Sequence, residues 1–233
     1  MILYLFDIDG TLLHAHRAGS QAFDAVFAAQ HGIERACEGI RFGGKTDPGL
    51  IDEVFVARFG RRAAAHERAA FLDAYLQLLR GRLAQTGVEV LGGVAEVLAW
   101  LATQSEVMLG IATGNVRAGA EAKLAAAGLA AFFPLAAADA IGGYGCDSHI
   151  RAELVAAAIA RGRQRAAIDE VVVVGDTIHD ISAARACGAT VCAVATGSDS
   201  AEALAHADAV FTSMTELPAW HAARYRTAAA DRP

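Results

Sequence analysis

Residues 2–12 read ILYLFDIDGTL, a short apolar run followed by two aspartates on either side of one isoleucine. The apolar run predicts a buried strand over Ile2–Phe6, and Gly10 allows the chain to turn after it. Because side chains alternate along extended backbone, Asp7 and Asp9 would share one face. The stretch predicts a strand that brings two carboxylates to one edge of a sheet, although aspartate and glycine also form ordinary turns where strands end.

The rest of the chain alternates predicted strands and helices. This alternation predicts an α/β fold, a doubly wound parallel sheet with helices on both faces. The further predicted strands are Val107–Ala112, Val171–Val174 and Val191–Val194, and the predicted helices are Gly93–Thr103, Val116–Ala127 and Asp180–Cys187.

The alternation stops between residues 14 and 85, where only helical patterns occur. The sequence predicts helices at Arg17–His31, Pro48–Phe59 and Ala63–Leu83. Pro48 suits the first helical position, with Asp47 before it as the expected cap. We therefore predict a core domain of residues 1–13 and 86–233 and a helical insertion of residues 14–85.

Composition excludes several classes of protein. The chain has 233 residues, 55% of them hydrophobic, and a net charge of −6, so it can bury a core and lacks a broad positive surface for nucleic acid. The apolar start ends at Asp7, too early for a membrane anchor or a secretory signal. Four cysteines show no zinc spacing and are expected to be reduced. We expect a soluble, cytoplasmic protein.

The strand predicted at Val107–Ala112 is followed by Thr113-Gly114-Asn115 and a helix. A hydroxyl and the exposed amides of a helix N-terminus suit an anion such as phosphate. The same residues are equally good helix caps, so this motif alone leaves both roles open.

The strand at Val171–Val174 leads to a further pair of carboxylates, Asp176 at its tip and Asp180 one helical turn later. At the carboxyl edge of a parallel sheet these would meet Asp7 and Asp9, since open α/β sheets place their ligands there. Converging carboxylates repel one another, and a divalent cation is the natural compensation. Oxygen ligands favour Mg²⁺.

Taken together, DIDGTL at 7–12, ATGN at 112–115 and VVVVGDTIHD at 171–180 resemble, in order and spacing, three motifs of the haloacid dehalogenase (HAD) superfamily of hydrolases. The resemblance covers nearly the whole chain. It implies a Rossmann-like core with a helical cap of the C1 type and a Mg²⁺-dependent phosphatase, nearest to phosphoglycolate phosphatases. The implied partner is a small phosphorylated metabolite, with no nucleic acid or membrane, and the chain would act as a monomer or homodimer.

The resemblance also implies roles for individual residues. Asp7 would be the nucleophile that forms an aspartyl-phosphate, and Asp9 the general acid and base. The metal would be held by Asp7, the backbone carbonyl of Asp9, Asp176 and Asp180. The implied substrate-binding residues are Gly10, Thr113, Gly114, Asn115 and Lys45, of which Thr113 also counts as catalytic, and Lys45 lies in a glycine-rich turn of the insertion.

The family's third motif, a lysine that neutralises nucleophile and phosphate, has no counterpart at the expected place, which reads CDSHIR at 146–151. Arg151 could replace it, or Lys123 could reach back from the helix after Thr113. Both are counted as catalytic. We expect Lys123 to be the principal cation beside Asp7, with Arg151 in support.

Two other functions remain open at this stage. A phosphosugar mutase keeps the same four roles and passes the phosphoryl group to a sugar instead of water. A catalytically silent regulatory protein could retain the fold, although the intact set of aspartates argues against it. Because the dehalogenases of the superfamily lack this second aspartate, the resemblance implies phosphate monoester chemistry for a chain with Asp9.

Overall fold

The computed structural model describes residues 1–135 and 140–230. Its strands are β1 (Ile2–Phe6), β2 (Leu13–His14), β3 (Glu89–Val90), β4 (Val107–Ala112), β5 (Gly142–Gly143), β6 (Glu170–Gly175), β7 (Thr190–Val194) and β8 (Ala209–Phe211). Six of them form one parallel sheet in the order β5-β4-β1-β6-β7-β8. The chain builds outward from β1 to one side and then returns to build the other, so the strand order reverses next to β1.

Helices cover both faces of this sheet. The helices are α1 (Ala18–His31), α2 (Asp47–Phe59), α3 (Ala65–Thr86), α4 (Val94–Ala102), α5 (Arg117–Ala126), α6 (Arg151–Arg163), α7 (Ile178–Ala186) and α8 (Leu217–Ala230). Alternate residues of β1 serve opposite faces: Tyr4 and Phe6 pack in the cluster that includes α4 and α5, whereas Leu3 and Leu5 pack with α6 and α7. The predicted doubly wound α/β fold is confirmed.

The helical insertion consists of α1, α2 and α3 and packs around a cluster of aromatic rings. Phe23 contacts Phe71 and Tyr75 with ring centroids 5.0 and 4.8 Å apart, and Phe27 lies 5.6 Å from Phe55. Aromatic rings from all three helices thus meet here, in the same continuous buried cluster that includes Tyr4 and Phe6 of β1. Where the chain enters and leaves the insertion, β2 and β3 pair antiparallel and form a two-stranded stem.

Two details of the insertion differ from the sequence expectation. Thr46, not Asp47, caps α2, because the Thr46 hydroxyl accepts a hydrogen bond from the Gly49 amide. Helix α3 begins at Ala65 and continues to Thr86, past the predicted end at Leu83.

Some elements were not predicted. Strands β5 and β8 have two and three residues, too few for a periodic pattern.

Helix α7 begins at Ile178, before the expected Asp180, because Thr177 and Asp180 form a capping box. Among the helices of the described residues, none is long and apolar enough to cross a membrane.

Candidate active site

Three neighbouring strands bring the sequence motifs together. Strand β1 lies between β4 and β6, with Phe6 beside Ile111 on one side and Val174 on the other. Asp7, Thr113 and Asp176 follow these three strands at their carboxyl ends. The motifs therefore meet at the reversal of strand order, where open α/β sheets bind their ligands.

Asp7, Asp176 and Asp180 form a buried acidic triad, with one carboxylate oxygen from each lying within 4.8 Å of the others. Asp180 is fixed by the start of α7, where its Oδ2 accepts hydrogen bonds from the amide and the hydroxyl of Thr177 at 3.1 and 2.7 Å. The three carboxylates that the resemblance implies as metal ligands are thus adjacent, whereas Asp9 is implied as a ligand through its backbone carbonyl.

Asp176 is held by its neighbours. Its Oδ1 accepts a hydrogen bond from the Thr11 hydroxyl at 3.2 Å, and its Oδ2 accepts one from the Ser198 amide at 3.1 Å. Gly10 has φ of +84°, and a β-carbon there would lie 2.6 Å from Asp176 Oδ2. Gly10 is therefore required both for the left-handed turn and for the close approach of this carboxylate.

The electrostatics of the triad fit a divalent cation. Burial, together with the charges of Asp7 and Asp180, raises the pKa of Asp176 to about 8. Burial also raises the pKa of Asp7 to about 6, although the Arg151 charge opposes this. Without a cation, these carboxylates cannot all be ionised together at neutral pH, and a bound cation would stabilise their ionised form. An all-oxygen donor set suits Mg²⁺.

Arg151 is the cation in contact with Asp7. Its Nη2 lies 3.0 Å from Asp7 Oδ1 and 2.7 Å from Asp180 Oδ1, and its Nε donates to Asp180 at 2.8 Å. The side chain is 9% exposed, so these charges interact with little screening by water. The expectation that Lys123 is the principal cation at Asp7 is therefore corrected by the geometry.

Lys123 instead serves Asp9. Its ammonium lies 2.6 Å from Asp9 Oδ2 and donates to Asn115 Oδ1 at 2.7 Å, while the Asn115 amide donates to Asp9 at 2.8 Å. Enclosure raises the pKa of Asp9, but the Lys123 charge and the two hydrogen bonds outweigh it and lower the pKa below its usual value. Both predicted cations thus point inward, each to a different aspartate of the first motif.

Thr113 and Gly114 lie between these groups. The buried Thr113 hydroxyl accepts a hydrogen bond from the Asn115 side chain at 2.8 Å, and the Thr113 amide donates to the Gly143 carbonyl at 3.0 Å. A β-carbon at Gly114 would collide with the carbonyl oxygen of Lys45. Glycine is therefore needed here because the insertion approaches the loop at backbone distance.

A cavity of about 470 Å³ opens over Asp7 and Asp9 beneath the insertion. His14 and His16, which are not among the predicted site residues, line its rim together with Arg17. The backbones of His16 and Arg17 have φ of +46° and +65°, an uncommon conformation for residues other than glycine. Lys45 also lines the cavity, but its ammonium forms an ion pair with Glu53 at 2.6 Å.

Sequence reasoning missed the loop after β7. There the Thr196 hydroxyl donates to the Gly10 carbonyl at 2.7 Å, Ser198 binds Asp176, and Gly197 lies so close that a β-carbon would collide with Asp176. The signal was available, because this Thr-Gly-Ser follows another parallel strand at its carboxyl end.

A carboxylate beside a buried cation and a candidate metal site can attack an electrophile while a second carboxylate moves a proton. At the carboxyl edge of a doubly wound sheet, such a site suits chemistry on an anionic substrate. A model of the haloacid dehalogenase-like hydrolase family matches residues 3–188. The chain belongs to this family, which confirms the resemblance seen in the motifs. It is an enzyme of the hydrolase class.

Solved structures share the fold. CbbY from Rhodobacter sphaeroides in complex with phosphate is 21% identical, with a TM-score of 0.71 over 92% of this chain and 95% of that one. A hydrolase from Pseudomonas syringae is 22% identical, with a TM-score of 0.67 over 96% and 99% of the two chains. A haloacid dehalogenase-like family protein from Streptococcus pneumoniae is 17% identical, with a TM-score of 0.65 over 94% and 97%. No curated protein matches the chain.

Proposed function

We propose that the protein is a Mg²⁺-dependent phosphatase that hydrolyses a small phosphorylated metabolite through an aspartyl-phosphate on Asp7. The observation that carries this proposal is the division of the two cations. Arg151 contacts Asp7 and Lys123 contacts Asp9, so the two carboxylates of the first motif have different environments. Two carboxylates with different cationic partners are suited to different roles, one as nucleophile and one for proton transfer.

Asp7 is suited to the nucleophilic role by its position and its partner. It projects directly from the end of β1, and Arg151 lies against one carboxylate oxygen at 3.0 Å. A carboxylate and a phosphate dianion repel each other, so attack on phosphorus requires positive charge close to both. Arg151 supplies such a charge at Asp7, and Thr113 and Gly114 are the proposed partners of the phosphate oxygens.

Asp9 is suited to proton transfer. Its carboxylate is 44% exposed, so it can reach a leaving group or a water in the cavity. In the first half-reaction it would protonate the leaving oxygen, and in the second it would take a proton from the attacking water. Because Lys123 and Asn115 favour the charged form, Asp9 would first take the proton of the entering phosphate monoanion and then give that proton to the leaving oxygen.

The metal site would be formed by the carboxylates of Asp7 and Asp176 and the backbone carbonyl of Asp9, with Asp180 in support. When bound, Mg²⁺ would supply positive charge to the phosphoryl oxygens and to the nucleophile. Asp180 is held by Thr177 and Arg151, which suits it to orienting the other groups of the site.

The cavity limits the substrate to a small molecule. Its volume of about 470 Å³ accommodates a phosphate and a short carbon chain, and Arg17 and the histidines at the rim would favour a second anionic group. A phosphoglycolate-like monoester fits this description. A variant of CbbY has been solved with xylulose 1,5-bisphosphate, also a small phosphorylated molecule. We further propose that residues 14–85 act as a cap that closes over the site.

The test is release of phosphate from a panel of phosphorylated metabolites, with Mg²⁺ or with EDTA, by the wild type and by Asp7→Asn. We expect release by the wild type with Mg²⁺ only, and less than a few per cent of it from Asp7→Asn, because the amide is isosteric but a poor nucleophile. Full activity in EDTA would exclude the metal site. A rearranged phosphosugar without free phosphate would show a mutase, and no turnover of any compound would favour the silent regulatory protein.

A further inference from the structure

The turn at residues 43–47 connects the insertion to the catalytic groups through hydrogen bonds. The Gly44 carbonyl accepts a hydrogen bond from Arg151 Nη1 at 3.3 Å. The Asp47 amide donates to the Gly114 carbonyl at 2.8 Å, and the Asp47 carboxylate accepts from the Val116 amide at 2.8 Å. Asp47 therefore holds the segment that carries the proposed phosphate-binding residues at two points, Gly114 and Val116.

This contact depends on residues without side chains. The Lys45 carbonyl occupies the space that a β-carbon of Gly114 would need. Behind Gly114 lies Gly145, where a β-carbon would collide with the Gly114 carbonyl and would lie 3.2 Å from Thr46 Cβ. Three backbone segments are thus in direct contact: the turn at residues 43–47, the segment after β4 and the segment at Gly145. The segment after β4 lies between the other two.

The sequence predicts Asp47 as the cap of α2, but Thr46 caps this helix instead. The Asp47 carboxylate can therefore face the core. It is only 6% exposed, and burial raises the pKa of Asp47 to about 6 despite the charge of Lys123. A buried carboxylate is costly unless it is hydrogen-bonded, and the partner of Asp47 is the Val116 amide at the beginning of α5.

We propose that Asp47 is a positioning residue that fixes the Thr113–Val116 segment when the insertion is docked on the core. With the insertion docked, Asp47 binds the Val116 amide and the Gly114 carbonyl together. With the insertion undocked, both bonds are absent and the segment loses two of its constraints. The Thr113–Val116 segment would therefore be fixed for phosphate binding only when the insertion is docked. This role in catalysis rests on the proposed phosphatase function, whereas the structural role does not.

The test compares Asp47→Ala, Asp47→Asn and a control. The Asn side chain keeps an oxygen that can accept from Val116, so it should rescue what Ala loses. The control is Asp52→Asn on the same helix, because Asp52 forms its ion pair within the insertion, with Arg68 at 2.8 Å. The first measurement is hydrogen exchange of the Val116 amide in the protein alone. We expect exchange at least about tenfold faster in Asp47→Ala, and near-wild-type exchange in Asp47→Asn and in the control.

The second measurement is kcat/KM for p-nitrophenyl phosphate. Loss of a hydrogen bond to a charged group corresponds to about a tenfold to hundredfold decrease, so Asp47→Ala should fall by that factor, with Asp47→Asn and the control within about threefold of wild type. Unchanged Val116 exchange in Asp47→Ala overturns the proposal, as does an Asn variant that is as impaired as Ala in both measurements. If the wild type hydrolyses no phosphate ester, the proposed function fails, and the exchange measurement still decides the structural role.

Discussion

Replacement of Arg151 by glutamine should destabilise the metal-free protein far more than loss of an ordinary surface ion pair. Arg151 lies 3.0 Å from Asp7 and 2.7 Å from Asp180, and the three side chains are 9%, 8% and 2% exposed. Without the guanidinium, two buried carboxylates lose their cation, and removal of one partner from a buried ion pair costs about 3–5 kcal/mol.

The control is Arg185→Gln. Arg185 pairs with Asp208 at 2.8 Å, but the two side chains are 46% and 34% exposed, so the cost should be about 0–1 kcal/mol. The assay is the free energy of unfolding in urea, measured at pH 7 in EDTA and again with Mg²⁺. Magnesium should restore part of the loss in Arg151→Gln, because it supplies positive charge at the same carboxylates. Equal losses for the two variants in EDTA would refute the assignment of Arg151 as the cation of this site.

Three other predictions concern separate groups. Asp9→Asn should slow hydrolysis of alkyl phosphates by at least about tenfold more than hydrolysis of aryl phosphates, whose leaving groups need little protonation; equal losses in kcat would argue against the general acid. Cys146 is exposed and should react with iodoacetamide in the folded protein, whereas Cys37, whose thiol pKa is raised by burial and by Asp24, should react only on unfolding, as mass spectrometry can show. Because the pKa of Asp47 is about 6 in the folded protein against 3.8 as its ordinary value, the folded state binds more protons between these values, and the unfolding free energy should fall by up to about 3 kcal/mol as the pH rises from 4 to 6. Asp47→Asn should remove that part of the pH dependence in urea titrations, and an unchanged profile would count against it.

The strands that position the site were predictable because each is a continuous apolar run. Val171–Val174 is buried throughout and Val107–Ala112 in its second half, both in parallel pairing, and such strands show their burial directly in the sequence. The carboxylates after them could be placed by one rule, that ligands gather at the carboxyl edge. Strand β5, with only Gly142 and Gly143, has no comparable signal, since its place depends on pairing with Ile111 and Ala112.

The partners of the charged side chains were harder to predict. Lys123 and Arg151 both point inward, and the choice between Asp7 and Asp9 is decided by how α5 and α6 lie on the sheet. Asp47 and Thr46 are both good caps by residue type. The partner of Asp47, Val116, lies 69 residues away in the chain, so no local pattern could have shown which of the two faces the core.

The contact between Lys45 and Gly114 has a consequence for how the protein could diverge. It is made by a carbonyl oxygen and by the absence of a side chain, so it places no demand on the chemical identity of the side chain at position 45. The side chain that lines the cavity there can change while the docking of the backbone is preserved. The side chain at position 45 and the backbone fit between insertion and core are thus separate in the sequence, and the cavity lining could change in evolution without loss of that fit.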